Sequence, residues 1–325
     1  MKLAKPPRVQ SASNHQTRPV LNVLLKSLTR YTGLGMMAAF LVGCGGIHQA
    51  SQGEPAVNRS GLHEPVGFTR QLAQRYSPDE WPQVLRADVY LPEPDGELRP
   101  AALVVHGGGW RNRGPEDMTD IAEQLAAQGY VAVNIEHRFA PQYRFPAQIH
   151  DLQQAMAWIH DNADEWQVDT QRIVGVGFSS GAHLVSLLAL AGAEGPLAEP
   201  YGGEHTQLAA VMAGGLPSDL LKFDDGRLVV QFIGGTRAEK PDAYRLASPA
   251  RQITPDAPPF FVYHGRWDQL VPVDHATDFY AQLKAEGIES ELYLLRGRGH
   301  FASFVLDGQA VDAGITFLNQ QVNPH

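Results

Sequence analysis

The sequence of 325 residues has a single cysteine, Cys44, so no disulfide can form within the chain. It has no HExxH motif and no cluster of Cys and His residues, the patterns typical of zinc sites, so neither a metal nor another cofactor is expected. Internal repeats and low-complexity tracts are also absent. These absences exclude a disulfide-stapled scaffold and a repeat protein.

Basic residues are scarce beyond the N-terminal stretch. Residues 1–43 contain six Lys or Arg and no acid, whereas residues 44–325 contain 20 Lys or Arg against 35 Asp or Glu, a net charge of −15. An anionic body repels polyphosphate, which argues against nucleic acid as a partner. With 43% hydrophobic and 19% charged residues, the body has the composition of a globular domain that can bury one large core.

The first 65 residues have the features of a targeting signal and a tether. A basic stretch leads into a short apolar run, Tyr31–Gly43, and the tetrapeptide Leu41-Val42-Gly43-Cys44 resembles the bacterial lipobox. The pattern predicts a lipoprotein-type signal peptide over residues 1–43 and lipidation of Cys44. Such a signal implies an exported protein, and by resemblance to Gram-negative lipoproteins Gly45 in place of Asp implies anchoring in the outer membrane, facing the periplasm or the surface. The polar residues 44–65 are expected to form a flexible tether.

Two alternatives remain for this region. The apolar run could stay as an uncleaved membrane helix, although it is short of the roughly 20 residues that a spanning helix needs. Cys44 could instead be a buried free thiol.

From residue 66 the sequence alternates between strand and helix patterns. Continuous apolar runs such as Ala101–His106 are typical of strands buried on both faces of a parallel sheet. We predict an α/β fold over residues 66–325, with about eight mostly parallel strands, helices on both faces and a small cap. The expected strands are 66–76, 85–91, 101–106, 130–135, 172–176, 208–213, 260–263 and 289–295, and the expected helices are 117–128, 146–162, 180–191, 274–286 and 309–319.

The segment Gly177-Phe178-Ser179-Ser180-Gly181 has the G-x-S-x-G pattern of a nucleophile elbow. A strand pattern precedes it and an apolar helix pattern follows it, which is the context that the motif needs. Ser179 is therefore the candidate nucleophile. Two other interpretations are a helix start capped by Ser and a dinucleotide-binding turn, but the second lacks its third Gly and its acidic residue in register.

A second glycine-rich segment, His106-Gly107-Gly108-Gly109-Trp110, directly follows the predicted strand 101–106. Three consecutive glycines leave backbone N–H groups open to an anionic oxygen, as in the oxyanion loop of esterases. A plain flexible turn is the alternative. We expect His106 to organise this loop rather than to act as a base.

Two further loops at strand ends supply an acid and a base. Asp268 follows the strand 260–263, and His300 follows the strand 289–295. Asp274 is the rival acid, although we expect it to cap the next helix. His183, one turn after Ser179, is the rival base. The chain order Ser179, Asp268, His300 is that of the α/β-hydrolases.

Together these stretches resemble the carboxylesterase group of α/β-hydrolases that includes hormone-sensitive-lipase-like and bacterial feruloyl-esterase-type enzymes. The resemblance covers roughly residues 80–320 and rests on RADVYLP, HGGGW, HRFAPQYRFPAQIHD, GFSSGAHL, ASPARQI, APPFFVYHGRWDQLVPV and GHF. It implies a triad of Ser179, His300 and Asp268. It also implies an oxyanion hole from the backbone N–H groups of Gly108, Gly109 and Ser180. The elbow departs from the GESAGG found in many relatives, which bears on substrate preference.

The sequence thus predicts a serine carboxylesterase acting on small or short-acyl esters. Residues 215–246 are the expected cap, and Phe178, Tyr143 and Trp267 are candidate aromatic walls of the pocket, although core packing is the simpler role for each. An amidase, aryl formamidase or peptidase could use the same triad. A protein of another class, a catalytically silent lipoprotein that binds a ligand, is the remaining alternative.

Overall fold

The computed structural model describes residues 46–50, 61–307 and 309–323. Residues 44–325 form one compact unit. The predicted signal peptide, Cys44 with its predicted lipid, and residues 51–60 of the predicted tether lie outside the described residues. None of the described helices has the length and the apolar character needed to cross a membrane.

The described residues contain one sheet of nine strands, one more than the sequence suggested. Numbered along the chain, the order across the sheet is β1-β9-β8-β7-β6-β4-β5-β3-β2. The strands are β1 Ile47–Ala50, β2 Phe68–Arg75, β3 Arg86–Pro92, β4 Arg99–Val105, β5 Val131–Ile135, β6 Val168–Phe178, β7 Ala210–Gly214, β8 Phe260–Gly265 and β9 Ser290–Leu295.

Parallel pairing extends from β5 through β4, β6, β7 and β8 to β9. At the two margins of the sheet the pairs β3–β5, β2–β3 and β1–β9 are antiparallel. The carboxyl ends of all six parallel strands therefore meet along one edge, which is where open α/β sheets place their sites. We call it the carboxyl edge.

The helices cover both faces of this sheet. They are α1 Thr119–Ala127, α2 Ala147–Asp161, α3 Ala163–Trp166, α4 Ser180–Ala191, α5 Arg227–Ile233, α6 Pro241–Leu246, α7 Asp274–Ala285, α8 His300–Val305 and α9 Ala310–Val322. The predicted helices 117–128, 146–162, 180–191, 274–286 and 309–319 are confirmed to within three residues at each end, whereas α3, α5, α6 and α8 were missed.

Alternation along the central strand β4 divides the core into two layers. Leu103 and Val105 face the layer that holds α2, α4 and α7, while Ala102 and Val104 face the layer that holds α1 and α9. All seven residues of β4 are buried. This period of two in a strand covered on both faces explains the continuous apolar run in the sequence.

The strand β1 differs from the flexible tether expected over residues 44–65. Its four residues pair with β9, with Ile47 opposite Leu294 and Ala50 opposite Glu291. Ile47 packs on the core, and His48 Nε2 lies 2.5 Å from a Glu291 carboxylate oxygen. The side of β9 that faces away from β8 offers backbone N–H and carbonyl groups for pairing. Residues 47–50 therefore form a strand of the sheet rather than part of a tether.

Candidate active site

Ser179 occupies a sharp turn between the longest strand, β6, and the helix α4. Its backbone has φ 54° and ψ −122°, which is rare for a residue with a side chain. Its N–H donates to the Gly214 carbonyl oxygen at 2.7 Å, and its carbonyl oxygen accepts from His183 N–H at 3.0 Å. These hydrogen bonds to the end of β7 and to α4 hold the strained turn. This is expected for an elbow that presents its hydroxyl at the carboxyl edge.

The two glycines of the motif permit close packing around this turn. A Cβ on Gly177 would lie 2.5 Å from the Gly181 carbonyl carbon, and a Cβ on Gly181 would collide with the Val105 carbonyl oxygen. The start of α4 is therefore pressed against both β6 and the end of β4. A side chain at either glycine would push the elbow apart.

Three of the predicted residues form a continuous hydrogen-bonded chain. His300 Nδ1 lies 2.6 Å from Asp268 Oδ2, and His300 Nε2 lies 2.8 Å from Ser179 Oγ. Because a carboxylate only accepts, Nδ1 carries the proton and donates to Asp268, which leaves Nε2 free to accept from the serine hydroxyl. Asp268 follows β8, and His300 is the first residue of α8, just beyond β9.

Asp268 is buried yet well supplied with donors. Its Oδ1 accepts the N–H groups of Leu270 at 2.9 Å and Val271 at 2.8 Å, and its Oδ2 lies 3.3 Å from His264 Nε2. Burial alone would raise the pKa of Asp268, but hydrogen bonds with His264, His300 and Val271 outweigh it and hold that pKa well below its ordinary value. The carboxylate therefore stays charged at any pH near neutrality.

The glycine loop after β4 lies against the elbow. A Cβ on Gly107 would be 3.3 Å from Ser179 Cβ, so the loop runs next to the nucleophile. Gly108 has φ +115°, and a Cβ there would collide with the Asn112 carbonyl oxygen. Within the described residues no hydrogen-bond acceptor engages the N–H groups of Gly108, Gly109 or Ser180. These three donors remain available to a ligand oxygen.

The rival residues have structural partners instead. His183 Nε2 donates to the Ala247 carbonyl oxygen at 2.7 Å, and its Nδ1 accepts from Trp110 Nε1 at 3.2 Å. Asp274 is the first residue of α7 rather than its cap, and its carboxylate lies 3.0 Å from Lys222 Nζ.

His106 bonds within its own loop, as expected for an organising residue. Its Nδ1 lies 2.7 Å from the Gly107 carbonyl oxygen, and its ring stacks on His137 with centroids 4.6 Å apart. Burial lowers its pKa to about 4, so the ring is neutral at pH 7.

A cavity of about 760 Å³ opens above Ser179 and His300. One wall is the glycine loop, and another is α8 with Phe301, Phe304 and Val305. The predicted cap supplies Phe223 and residues 226–229, including Leu228. Other apolar cap residues, such as Leu216 and Phe232, are fully buried in the core.

Of the three candidate aromatic walls, only Phe178 lines the cavity. Its ring packs 5.2 Å from His300 and 4.7 Å from Phe304, centroid to centroid. Tyr143 lies elsewhere, with its hydroxyl donating to the Pro82 carbonyl oxygen at 3.1 Å. Trp267 points into solvent and is 71% exposed. The expectation for Tyr143 and Trp267 as walls was therefore wrong, because proximity in sequence to site residues does not fix side-chain direction.

Sequence reasoning missed the apolar wall of α8 and the contact of His264 with Asp268. Neither had a clear local signal, because α8 is only six residues long and His264 lies on β8 while Asp268 lies in the loop after it. No group of three or more His, Cys, Asp or Glu side chains arranged to hold a metal is present in the described parts of the chain.

A largely parallel sheet covered by helices on both faces, with a serine elbow after a central strand, defines an α/β-hydrolase fold. Within that class, residues 87–283 match the BD-FAE family model. The match spans more than half of the chain, and the protein belongs to the BD-FAE family.

Known proteins with similar sequences carry esterase names. The chain is 34% identical over 239 residues to esterase LipC of Mycobacterium tuberculosis, covering 68% of this chain and 58% of that protein. It is 26% identical over 236 residues to the isoprenylcysteine alpha-carbonyl methylesterase ICME of Arabidopsis thaliana, covering 68% of this chain and 55% of that protein. The chain thus spans little more than half the length of these relatives.

Among solved structures, a truncated carbohydrate esterase from gut microbiota superposes with a TM-score of 0.69 at 22% identity. The match covers 80% of this chain and 98% of that one. At this identity the likeness bears on the fold.

Proposed function

We propose that this protein is a serine carboxylesterase in which Ser179, His300 and Asp268 form the catalytic triad. The observation that carries the proposal is the hydrogen-bonded chain from Asp268 through His300 to Ser179, which ends at an open cavity of about 760 Å³. Family membership and the esterase names of relatives such as LipC agree with it.

The geometry suits acyl transfer. A neutral serine is a weak nucleophile at pH 7, so His300 Nε2 takes the hydroxyl proton as Ser179 Oγ attacks the ester carbonyl carbon. Asp268 holds the other ring nitrogen in its protonated form and stabilises the imidazolium. His300 then protonates the leaving alcohol, which departs to give the acyl-enzyme. A water molecule, deprotonated by the same nitrogen, attacks that acyl group and releases the acid.

The oxyanion of each tetrahedral intermediate would be held by the N–H groups of Gly108, Gly109 and Ser180. These donors are fixed before substrate arrives, because the glycine loop and the elbow pack on each other. Losing one such donor costs about 2.7–4 kcal/mol of transition-state stabilisation in other enzymes.

We further propose that the acyl group is small or short. The cap between β7 and β8 contributes Phe223 and residues 226–229 to the cavity, and the opposite wall is the short helix α8. Apolar side chains on both walls suit an alkyl or aryl group.

The direct test is hydrolysis of p-nitrophenyl esters from acetate to dodecanoate by the full chain and by Ser179→Ala. We expect the substitution to lower kcat by at least about 10⁴-fold, with the highest kcat/KM on short esters. Activity retained within tenfold would refute the assignment of Ser179. Turnover of amides with none of esters would favour the amidase alternative, and a folded protein inactive on both would favour a silent binding role.

We also propose that the protein is exported and anchored to the outer membrane through a lipid on Cys44. The lipobox-like tetrapeptide before the single cysteine and Gly45 after it support this proposal. Labelled palmitate should enter the full chain and not Cys44→Ala, with Cys44→Ala released from the membrane fraction. Equal labelling of both forms would contradict the proposal.

A further inference from the structure

Exposed apolar side chains concentrate around the mouth of the cavity. Of the ten large apolar side chains exposed in the described residues, three line the cavity and two more, Trp267 and Leu306, lie in the same two segments; Trp267 and Val305 are 71% and 75% exposed. We call this group the apolar rim: Trp267, Leu270, Phe301, Val305 and Leu306. Burial of so much apolar surface against a partner would be favourable, so a concentrated patch of this kind marks an interaction surface.

The rim is built from two neighbouring loops and α8. The loop after β8 and the loop after β9 begin side by side, since Gly265 pairs with Leu295. The backbone of Trp267 bonds the Arg298 carbonyl oxygen at 2.9 Å. Phe301 and Val305 lie one turn apart on α8 and also line the cavity. The apolar rim and the cavity wall therefore share Leu270, Phe301 and Val305.

The same loops carry positive charge, although the body as a whole is acidic. Arg266 and Arg296 are exposed and Arg298 is half-buried, and none of the three belongs to an ion pair within the described residues. The acids in these segments are Asp268, which is buried and bonded to His300, and Asp307. Aromatic and aliphatic side chains bordered by arginines suit the surface of a bilayer with anionic headgroups.

The strand β1 begins at this same edge of the sheet. Because β1 is antiparallel to β9, with Ile47 opposite Leu294, the backbone before Ile47 heads toward the end of β9 where Arg296 and α8 begin. Cys44 precedes Ile47 by only three residues in the sequence. A membrane anchor at this point would hold the carboxyl edge, rather than the opposite edge, next to the lipid.

From these three observations we propose that the apolar rim rests on the surface of a phospholipid bilayer, so that the cavity opens toward the membrane. Substrate then enters from, or along, the lipid surface. The inference rests in part on the lipid anchor proposed above and does not depend on the triad.

The test is hydrogen exchange on the full-length Ser179→Ala chain, with and without vesicles of phosphatidylethanolamine and phosphatidylglycerol in a 3:1 ratio. We expect amides of 266–271 and 300–307 to exchange at least about fivefold more slowly with vesicles, while those of β2 and residues 95–99 are unchanged. High salt should reduce this protection, because the arginines contribute through charge.

The double variant Trp267→Ser with Leu306→Ser removes apolar surface without altering a cavity-lining residue, and we expect it to lose most of the protection. Its matched control is Leu72→Ser with Leu98→Ser. Both leucines are exposed. Leu72 lies on β2, at the other end of the strand order from β9, and Leu98 lies before β4, at the amino ends of the parallel strands, so this control should keep full protection. In the same variants with Ser179 restored, hydrolysis of p-nitrophenyl acetate in solution reports the esterase separately.

Three results would overturn the proposal. One is a chain that does not bind vesicles, and another is binding with equal or no protection at the two edges of the sheet. The third is slowed exchange of α8 that depends on protein concentration without vesicles, which would assign the apolar rim to contact with a second copy. The exchange experiment uses the Ser179→Ala chain, which is expected to be inactive from the start. Loss of esterase activity therefore cannot produce any of these three results.

Discussion

Four buried histidines near the elbow fall into two groups that differ in what their ring nitrogens bond to: His300 alone forms the first group, and His106, His137 and His183 form the second. His300 bonds to a carboxylate on one side and to the Ser179 hydroxyl on the other. His106, His137 and His183 bond to backbone carbonyl oxygens, and burial lowers their pKa values to about 4, 3 and 4. Burial near a serine does not make a histidine a base. His300 differs in combining a carboxylate on Nδ1, which would stabilise the ring when it takes a proton, with the serine hydroxyl on Nε2.

The sharpest test of this comparison replaces His300 and His183 by alanine in separate variants. We expect His300→Ala to lower kcat/KM for p-nitrophenyl butyrate by about 10⁵-fold while leaving the protein folded. We expect His183→Ala to keep kcat within about tenfold but to lower the free energy of unfolding by about 2–3 kcal/mol, since Trp110 and Ala247 each lose a buried partner. Urea unfolding and initial rates measure both effects, and the opposite pattern would reassign the base.

Removing the carboxylate should make His300 resemble the second group. Asp268→Asn keeps the shape of the side chain but cannot stabilise the imidazolium, so we expect kcat to fall by about 10³–10⁴-fold. Asp274→Asn is the matched control, because its carboxylate pairs with Lys222 and should leave kcat unchanged. A similar loss in both variants would mean that the effect is general electrostatics rather than support of His300.

The glycine loop can be disturbed without substituting any histidine. Gly108→Ala would collide with the Asn112 carbonyl oxygen, so we expect the loop to shift and kcat to fall by about 10²–10³-fold, with a smaller change in KM. Gly96→Ala is the control, because Gly96 also has a positive φ, +91°, but has open space around it. Equal kinetics in both variants would remove the loop from catalysis.

The neutral histidines should also make the fold sensitive to acid. Their folded pKa values lie below the ordinary 6.5, so the unfolded chain takes up protons as the pH falls below about 6.5 while the folded chain does not. Stability is therefore full above that pH and declines toward pH 4, by up to about 1.4 kcal/mol per pH unit for each ring. Urea midpoints at pH 7, 6 and 5 measure the slope, which should be smaller for His183→Gln. An identical slope would show that other groups dominate.

Much of the site could be predicted from local sequence because the chemistry requires particular residues at the ends of strands. Gly177, Ser179 and Gly181 form a pattern that only a tight strand-to-helix turn needs, and a parallel sheet brings the ends of β6, β8 and β9 to one edge. Hence Asp268 and His300 could be located without knowing their distance from Ser179. The fold followed from the same alternation of apolar runs.

What sequence reasoning missed depends on tertiary packing. The helix α8 is only six residues long, too short for a periodic signal, so the wall formed by Phe301 and Val305 was not expected. The side chain of Trp267 could point inward or outward from its loop, and nothing local decides between them. The strand β1 exists because β9, more than 240 residues later, offers a free margin, and a pairing at that separation leaves no local pattern.

That pairing has a consequence for any shortened form of the protein. Without Ile47–Ala50 the last strand, β9, would expose a full row of unpaired N–H and carbonyl groups, which is a template for strand addition from another molecule. A chain begun at residue 61 would keep Ser179, Asp268, His300 and the cap, yet would present an unpaired sheet margin beside the loop that carries His300. The pairing of Ile47–Ala50 with β9 thus protects this margin of the sheet against edge-to-edge aggregation.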